Sequence, residues 1–102
     1  MPVSSNWLVY ILRCKDGTLY TGITNHLAQR LATHAAGRGA KYLRGRLPVQ
    51  LVYVESGHTR PSASQREAHL KRLPRAQKVR LIHEFNLLRE TGDDCTTLQN
   101  AS

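Results

Sequence analysis

Apolar positions change their period several times along this chain, and each change marks an element. Trp7-Leu8-Val9-Tyr10-Ile11-Leu12-Arg13-Cys14 is a nearly unbroken apolar run of strand length. After Lys15-Asp16-Gly17 comes a second strand, Thr18-Leu19-Tyr20-Thr21-Gly22, so the two form a hairpin. Its register depends on the loop. Asp16-Gly17 as a two-residue turn places Tyr10 opposite Ile23 and puts Tyr10 and Tyr20 on different faces. A three-residue Lys15-Asp16-Gly17 loop pairs Cys14 with Thr18, Leu12 with Tyr20 and Tyr10 with Gly22, and both tyrosines then share a face. The second register is predicted, with Gly17 as a left-handed residue closing the loop.

Beyond the hairpin the period becomes helical. Leu27, Leu31 and Ala35 recur every four residues, with Asn25 as the predicted N-cap, an end near residue 36 and Gly37 as the stop. Residues 37–48 contain three glycines, a proline and four positive charges, a composition suited to an exposed connection. Gln50-Leu51-Val52-Tyr53-Val54-Glu55 reads as a third strand. Pro61 opens a helix to about Leu73, Pro74 interrupts it, and a last helix runs from Arg75 to about Leu88. The expected fold is α/β, one domain over residues 6–88 with a three-stranded sheet, flanking helices and the order ββαβαα. Residues 1–5 and 89–102 are expected to be flexible.

Composition narrows the partners. Fifteen Lys and Arg against seven Asp and Glu give a formal charge of +8, which favours a polyanion such as nucleic acid. No run of about 18 apolar residues is present to span a bilayer. The N-terminus lacks the basic and apolar regions of a secretory signal, so a cytoplasmic location is expected, with Cys14 and Cys95 as free thiols. The five histidines form no His-Glu-x-x-His pattern, and Gly37-Arg38-Gly39-Ala40-Lys41 lacks the spacing and final hydroxyl of a phosphate-binding loop.

Glu67 is the most informative single position. Ala63 and Leu70 lie four before and three after it, so its carboxylate shares their apolar stripe and needs a metal ion, an arginine or a hydrogen-bond partner. An internal salt bridge satisfies that need as well as a functional site does. Arg30 and His34 are neighbours on the first helix and could border a cleft, although so common a spacing by itself favours an exposed arginine and a helix-terminal histidine. Tyr10 and Tyr20 suit a strand core, whereas Gly22 opposite Tyr10 leaves room for a close approach. Arg38, Lys41, Arg44 and Arg46, with Tyr42 among them, suit phosphate contacts and base stacking, or simply a solvated loop.

Together these residues resemble the GIY-YIG nuclease superfamily, especially its small stand-alone bacterial members, over roughly residues 6–88. The two signature halves read Leu8-Val9-Tyr10 and Tyr20-Thr21-Gly22, so both tyrosines and the second glycine are present, while the first glycine and central isoleucine are replaced. Arg30 and His34 match the family's first-helix pair, and Glu67 its metal-binding glutamate. Gly39-Ala40-Lys41-Tyr42 and Arg75-Ala76-Gln77-Lys78 are similar to stretches of the stand-alone members.

The resemblance implies phosphodiester hydrolysis at one divalent cation, Mg2+ or Mn2+, held by Glu67. Tyr10 would orient or deprotonate water with His34 as relay, Arg30 would neutralise phosphate charge, and Tyr20 would position phosphate or water. DNA in single-stranded or branched form is the expected substrate, with RNA as a further candidate. The competing expectation is a nucleic-acid-binding or ribosome-associated module that keeps the fold without cutting. A metal-independent enzyme for a small anionic metabolite ranks last.

Overall fold

A computed structural model of the chain describes residues 6–91, with side chains through residue 88. Its elements are β1 (Trp7–Arg13), β2 (Leu19–Thr24), α1 (Leu27–Ala35), β3 (Gln50–His58), α2 (Arg60–Arg72) and α3 (Arg75–Thr91), with a short 3-10 turn at Lys41–Leu43. The predicted order ββαβαα is the observed one. All three strands form a single antiparallel sheet in the order β2-β1-β3, which makes β1 central. One compact unit extends through Arg72, and a second from Leu73 contains α3.

The hairpin adopts the three-residue loop. Tyr10 pairs with Gly22 and Leu12 with Tyr20, as the shared-face register requires. Cys14 N–H donates to Thr18 O at 2.8 Å, and Gly17, at φ 87°, donates its N–H to Cys14 O at 2.9 Å. A left-handed residue costs glycine no Cβ clash, so the loop closes here without strain. Asp16 locks it further by accepting both the backbone and hydroxyl protons of Thr18.

Alternation along β1 then divides the core. Tyr10, Leu12 and Cys14 are buried in one cluster with Leu43, and Tyr20, Leu27, Leu31 and Leu51 pack around it. Val9 and Ile11 alternate to the other side and are fully buried. Helix α2 packs on the sheet against β2, β1 and β3, burying Ala63 and Leu70 completely.

Several boundaries differ from expectation. The N-cap of α1 is His26, not Asn25, and it makes no side-chain cap bond; Thr24 Oγ1 instead receives the His26 N–H at 3.0 Å. The predicted stop is observed. Gly37, at φ 78°, donates to His34 O, and Arg38 donates to Thr33 O, the paired bonds of a Schellman ending.

Strand β3 runs three residues past Glu55 because the pairing shifts between Trp7 and Val9, where Gly57 takes φ 80° and absorbs a bulge. The connection expected to be exposed is only partly so. Leu43 within it is 1% exposed and fills the Tyr10 cluster, burial that contributes about 2 kcal/mol. Helix α3 reaches Thr91 rather than ending near residue 88, so residues 89–91 expected in the tail are helical. Residues 1–5 and 92–102, including Cys95, lie outside the described residues; Cys14 is a buried free thiol. No helix among the described residues is long and apolar enough to cross a membrane.

Candidate active site

Three elements bring Tyr10, Tyr20 and His34 together on one face of the sheet. The register of β1 on β2 puts Tyr10 and Tyr20 side by side, with ring centroids 6.4 Å apart. His34, in the last turn of α1, lies 6.2 Å from the Tyr10 ring and 5.8 Å from the Tyr20 ring. It is 1% exposed, and its Nε2 is 3.0 Å from Tyr10 Oη. A helix-terminal histidine on the surface is therefore not what the fold makes of it. Arg30, one turn earlier on α1, is exposed.

The tyrosine pair owes its geometry to Gly22. A Cβ built there would fall 2.6 Å from Tyr10 Oη and 2.7 Å from its Cζ, so only glycine lets the ring lie flat across β2. Gly39 serves His34 in the same way, because its Cβ would fall on the imidazole Nδ1.

Electrostatics links the remaining two residues to this group. Burial pushes the Tyr10 hydroxyl far above the ordinary tyrosine range; Tyr20 and Glu67 add to the shift and Arg30 opposes it. Tyr20 is raised by burial, then by Glu67, again against Arg30. Burial, with Arg30 adding to it, lowers His34 and keeps it neutral near pH 7. Glu67 and Arg30 thus act on the same hydroxyls from α2 and α1.

Glu67 is not deeply buried, as its place on the apolar stripe implied; its side chain is 24% exposed, with Lys71 Nζ 3.5 Å from Oε2. That partner is itself mostly solvated and holds the carboxylate loosely. Among the described residues no three His, Cys, Asp or Glu side chains gather around a common point. A partly exposed carboxylate outside any such group suits Mg2+ or Mn2+, which retain several waters and borrow phosphate oxygens, better than a closed zinc site.

The basic connection is divided in its duties. Arg46 pairs with Asp16 at 3.2 Å, donates to Tyr42 O at 2.8 Å and lies 4.1 Å over the Tyr42 ring. Tyr42 also stacks on Tyr20, centroids 5.9 Å apart. Both residues expected to face nucleic acid are therefore engaged within the chain, and a base stacks on Tyr42 only by competing with those partners. Arg38, Lys41 and Arg44 are exposed and form no ion pair among the described residues.

A second polar cluster was not anticipated. Glu55 accepts bonds from Tyr53 Oη at 2.9 Å and from Arg66 Nε at 3.0 and 3.2 Å, and meets His58 Nε2 at 2.7 Å. His58 Nδ1 in turn lies 2.9 Å from Ser62 Oγ. The Ser-His-Glu sequence is not a nucleophilic site, because the amides beside Ser62 are already spent: Ser62 N–H goes to Thr59 Oγ1, Ala63 N–H to Thr59 O, and Thr59 N–H to Ser62 Oγ. It is a clamp between β3 and the start of α2, and Arg66 in it immediately precedes Glu67. Strand-end Glu55 and the Thr59-x-x-Ser62 spacing were its only traces in the sequence.

Replacing Glu55 with alanine is expected to cost about 2 kcal/mol in urea unfolding, the loss of charge-assisted bonds from a half-buried group. Burial alone would raise Glu55, but the bonds from His58, Arg66 and Tyr53 outweigh it and hold the carboxyl below its usual 4.5. The clamp's contribution is therefore complete above that value and disappears as pH falls through the folded-state value beneath it. Unfolding curves of wild type and Glu55→Ala should converge in acid; a constant gap would mean that the carboxylate is not the stabilising group.

Comparison with known proteins identifies the family. The family model for the GIY-YIG catalytic domain matches residues 6–80. A UPF0213 protein of Natronomonas pharaonis is 49% identical over 90 residues, spanning 88% of this chain and 100% of that protein. One from Clostridium perfringens is 50% identical over 82 residues, 80% of this chain and 88% of the other. The solution structure of a UPF0213 protein from Bacillus halodurans has a TM-score of 0.54 and 39% identity, covering 89% of this chain and 98% of that one. A second solution structure, from E. faecalis, has a TM-score of 0.56 and 37% identity over 85% and 93%. With the catalytic-domain model matched over residues 6–80 and relatives matched along nearly their whole length, the chain belongs to the GIY-YIG nuclease superfamily and is similar over most of its length to small UPF0213 proteins.

Proposed function

We propose that this protein is a divalent-metal-dependent endonuclease that hydrolyses phosphodiester bonds in DNA, preferring single-stranded or branched forms. The observation that carries the reading is the contact of Tyr10, Tyr20 and His34, with Tyr10 hydrogen-bonded to His34 and with Arg30 and Glu67 near enough to shift both tyrosine hydroxyls. It works in the cytoplasm, a compartment suited to the unpaired Cys14.

Glu67 would hold Mg2+ or Mn2+, which when bound would supply charge stabilisation for the departing 3′ oxygen. Tyr10 orients the attacking water and exchanges a proton with it at Oη, held in place by His34 on one side and by the bare backbone of Gly22 beneath. The Arg30 guanidinium faces the charge that develops on the phosphate, and Tyr20 positions phosphate or water through its hydroxyl. Arg38, Lys41 and Arg44 provide phosphate contacts along the strand. Tyr42 and Arg46 brace Tyr20 and the hairpin loop, so backbone tracking outweighs base stacking in recognition.

The test is cleavage of end-labelled single-stranded, duplex and branched DNA, and of RNA, with Mg2+ or Mn2+. Cutting of single-stranded or branched DNA that disappears in chelator and in the Glu67→Ala and Tyr10→Phe proteins is the expected result. Tight binding with no cleavage of any substrate would replace it with the non-catalytic module that the basic surface also suits.

A further inference from the structure

His34 is held at both ring nitrogens. Nε2 faces Tyr10 Oη at 3.0 Å, and Nδ1 faces the Ala40 backbone nitrogen at 3.3 Å. A backbone N–H only donates, so Nδ1 presents its lone pair to Ala40. The single proton of a neutral imidazole then sits on Nε2. Burial keeps the ring in that neutral form, helped by the Arg30 charge.

The approach of Ala40 depends on its neighbour. Any Cβ at residue 39 would fall on Nδ1 and lie 2.7 Å from Cε1, so Gly39 lets the turn cross the imidazole. Leu43, anchored in the Tyr10 cluster, donates its N–H to Ala40 O at 2.9 Å and fixes the turn from the far side.

We propose that the Gly39-Ala40 turn locks His34 as its Nε2–H tautomer, making His34 a permanent hydrogen-bond donor to Tyr10 and a positioning residue, not a proton relay. Tyr10 Oη receives that bond, so its own hydrogen is directed to some partner other than His34. A proton that leaves or reaches Oη in the reaction exchanges with water in the cleft, while the Nε2 proton stays where it is. The tautomer stands on the geometry alone; its catalytic consequence rests on the nuclease reading.

Two measurements separate these layers. Long-range proton–nitrogen NMR of the nitrogen-15-labelled full chain at pH 7 should give His34 a pyrrole-like Nε2 and a pyridine-like Nδ1, and Gly39→Ala should lose this single-tautomer pattern. The opposite assignment, or averaged nitrogen signals in the wild type, overturns the proposal whether or not the protein cuts DNA. The second measurement is the cleavage rate of His34→Gln, whose amide supplies an N–H near the Nε2 position but carries no proton onward, against His34→Leu, which supplies none.

For a donor, the glutamine protein should fall by less than about tenfold and the leucine protein by about a hundredfold or more, the scale of a lost acid–base partner. Equal, deep losses in both mean that His34 relays the proton, and the proposal fails. If the leucine protein does not fold, the glutamine rate still decides, since a relay loses about a hundredfold there too. If the wild type cleaves nothing, the nuclease reading fails while the nitrogen spectrum still settles the tautomer.

Discussion

Replacing Glu67 with alanine is expected to abolish cleavage, lowering the rate by about a thousandfold or more while leaving the fold intact. The size follows from what the carboxylate supplies. A bound divalent cation contributes several kcal/mol of transition-state charge stabilisation, and about 4 kcal/mol corresponds to about three powers of ten. Among the described residues no group of three His, Cys, Asp or Glu side chains is placed to take over the ion.

Stability should barely move, because Glu67 is 24% exposed and its one ion pair, to a mostly solvated Lys71, is worth little. The measurements are the cleavage rate across a Mn2+ titration, Mn2+ binding by electron paramagnetic resonance, and the urea midpoint. Loss of both cleavage and Mn2+ binding at an unchanged midpoint is the expected pattern. A Glu67→Ala protein that still bound Mn2+ and cut DNA at the wild-type rate would place the cation elsewhere.

The second large effect is expected at Gly22, where a single added methyl group should disable the site from behind. Its Cβ would lie 2.6 Å from Tyr10 Oη and 2.7 Å from Cζ, well inside van der Waals contact. A surface ring would swing aside, but Tyr10 is 1% exposed and is packed against Tyr20, His34 and the Leu12–Leu43 cluster. Either the ring tilts and breaks its 3.0 Å contact with His34, or β2 moves away from β1 at the pairing that sets the register.

Overpacking of this kind costs about 1–3 kcal/mol, and a displacement of about 1 Å in a reacting group costs about a hundredfold in rate. Gly22→Ala should therefore remain folded with a lowered urea midpoint and lose about a hundredfold in cleavage. A further Tyr10→Phe change should relieve part of the destabilisation, because it removes the oxygen nearest the new methyl. Full activity in Gly22→Ala would show that Tyr10 is not used where the fold puts it.

Much of this architecture was legible before any coordinates. The hairpin register followed from two local facts, the chirality that Gly17 tolerates and the two-residue alternation of a strand, and together they placed Tyr10 opposite Gly22. Helical period and Gly37 located the end of α1, and Pro74 separated α2 from α3. The failures were also local. Asn25 is the predicted cap where His26 is the observed one, and the third strand, predicted to end at Glu55, bulges and continues to His58. Cap choice and bulges depend on how an element is held by its neighbours, which a period does not record.

The sequence by itself determined which residues lie on which strand or helix, the pairing of the two tyrosine strands, the basic charge of the chain and, through matched motifs, the family to which it belongs. Those properties arise from repeats of two and 3.6 residues, turn chirality and composition, all readable over short stretches. Tertiary structure alone decided that His34 is buried against Tyr10 across 24 residues, that Glu67 is partly exposed instead of buried, and that Tyr42 and Arg46 are claimed by Tyr20 and Asp16. It also decided that Glu55 ties α2 to β3 just before Glu67, and that the Ala40 N–H meets His34 Nδ1. Each of these is a contact between residues distant in sequence, fixed by packing angles and by glycines that let backbones approach, and neither quantity is encoded in the local pattern of any one element.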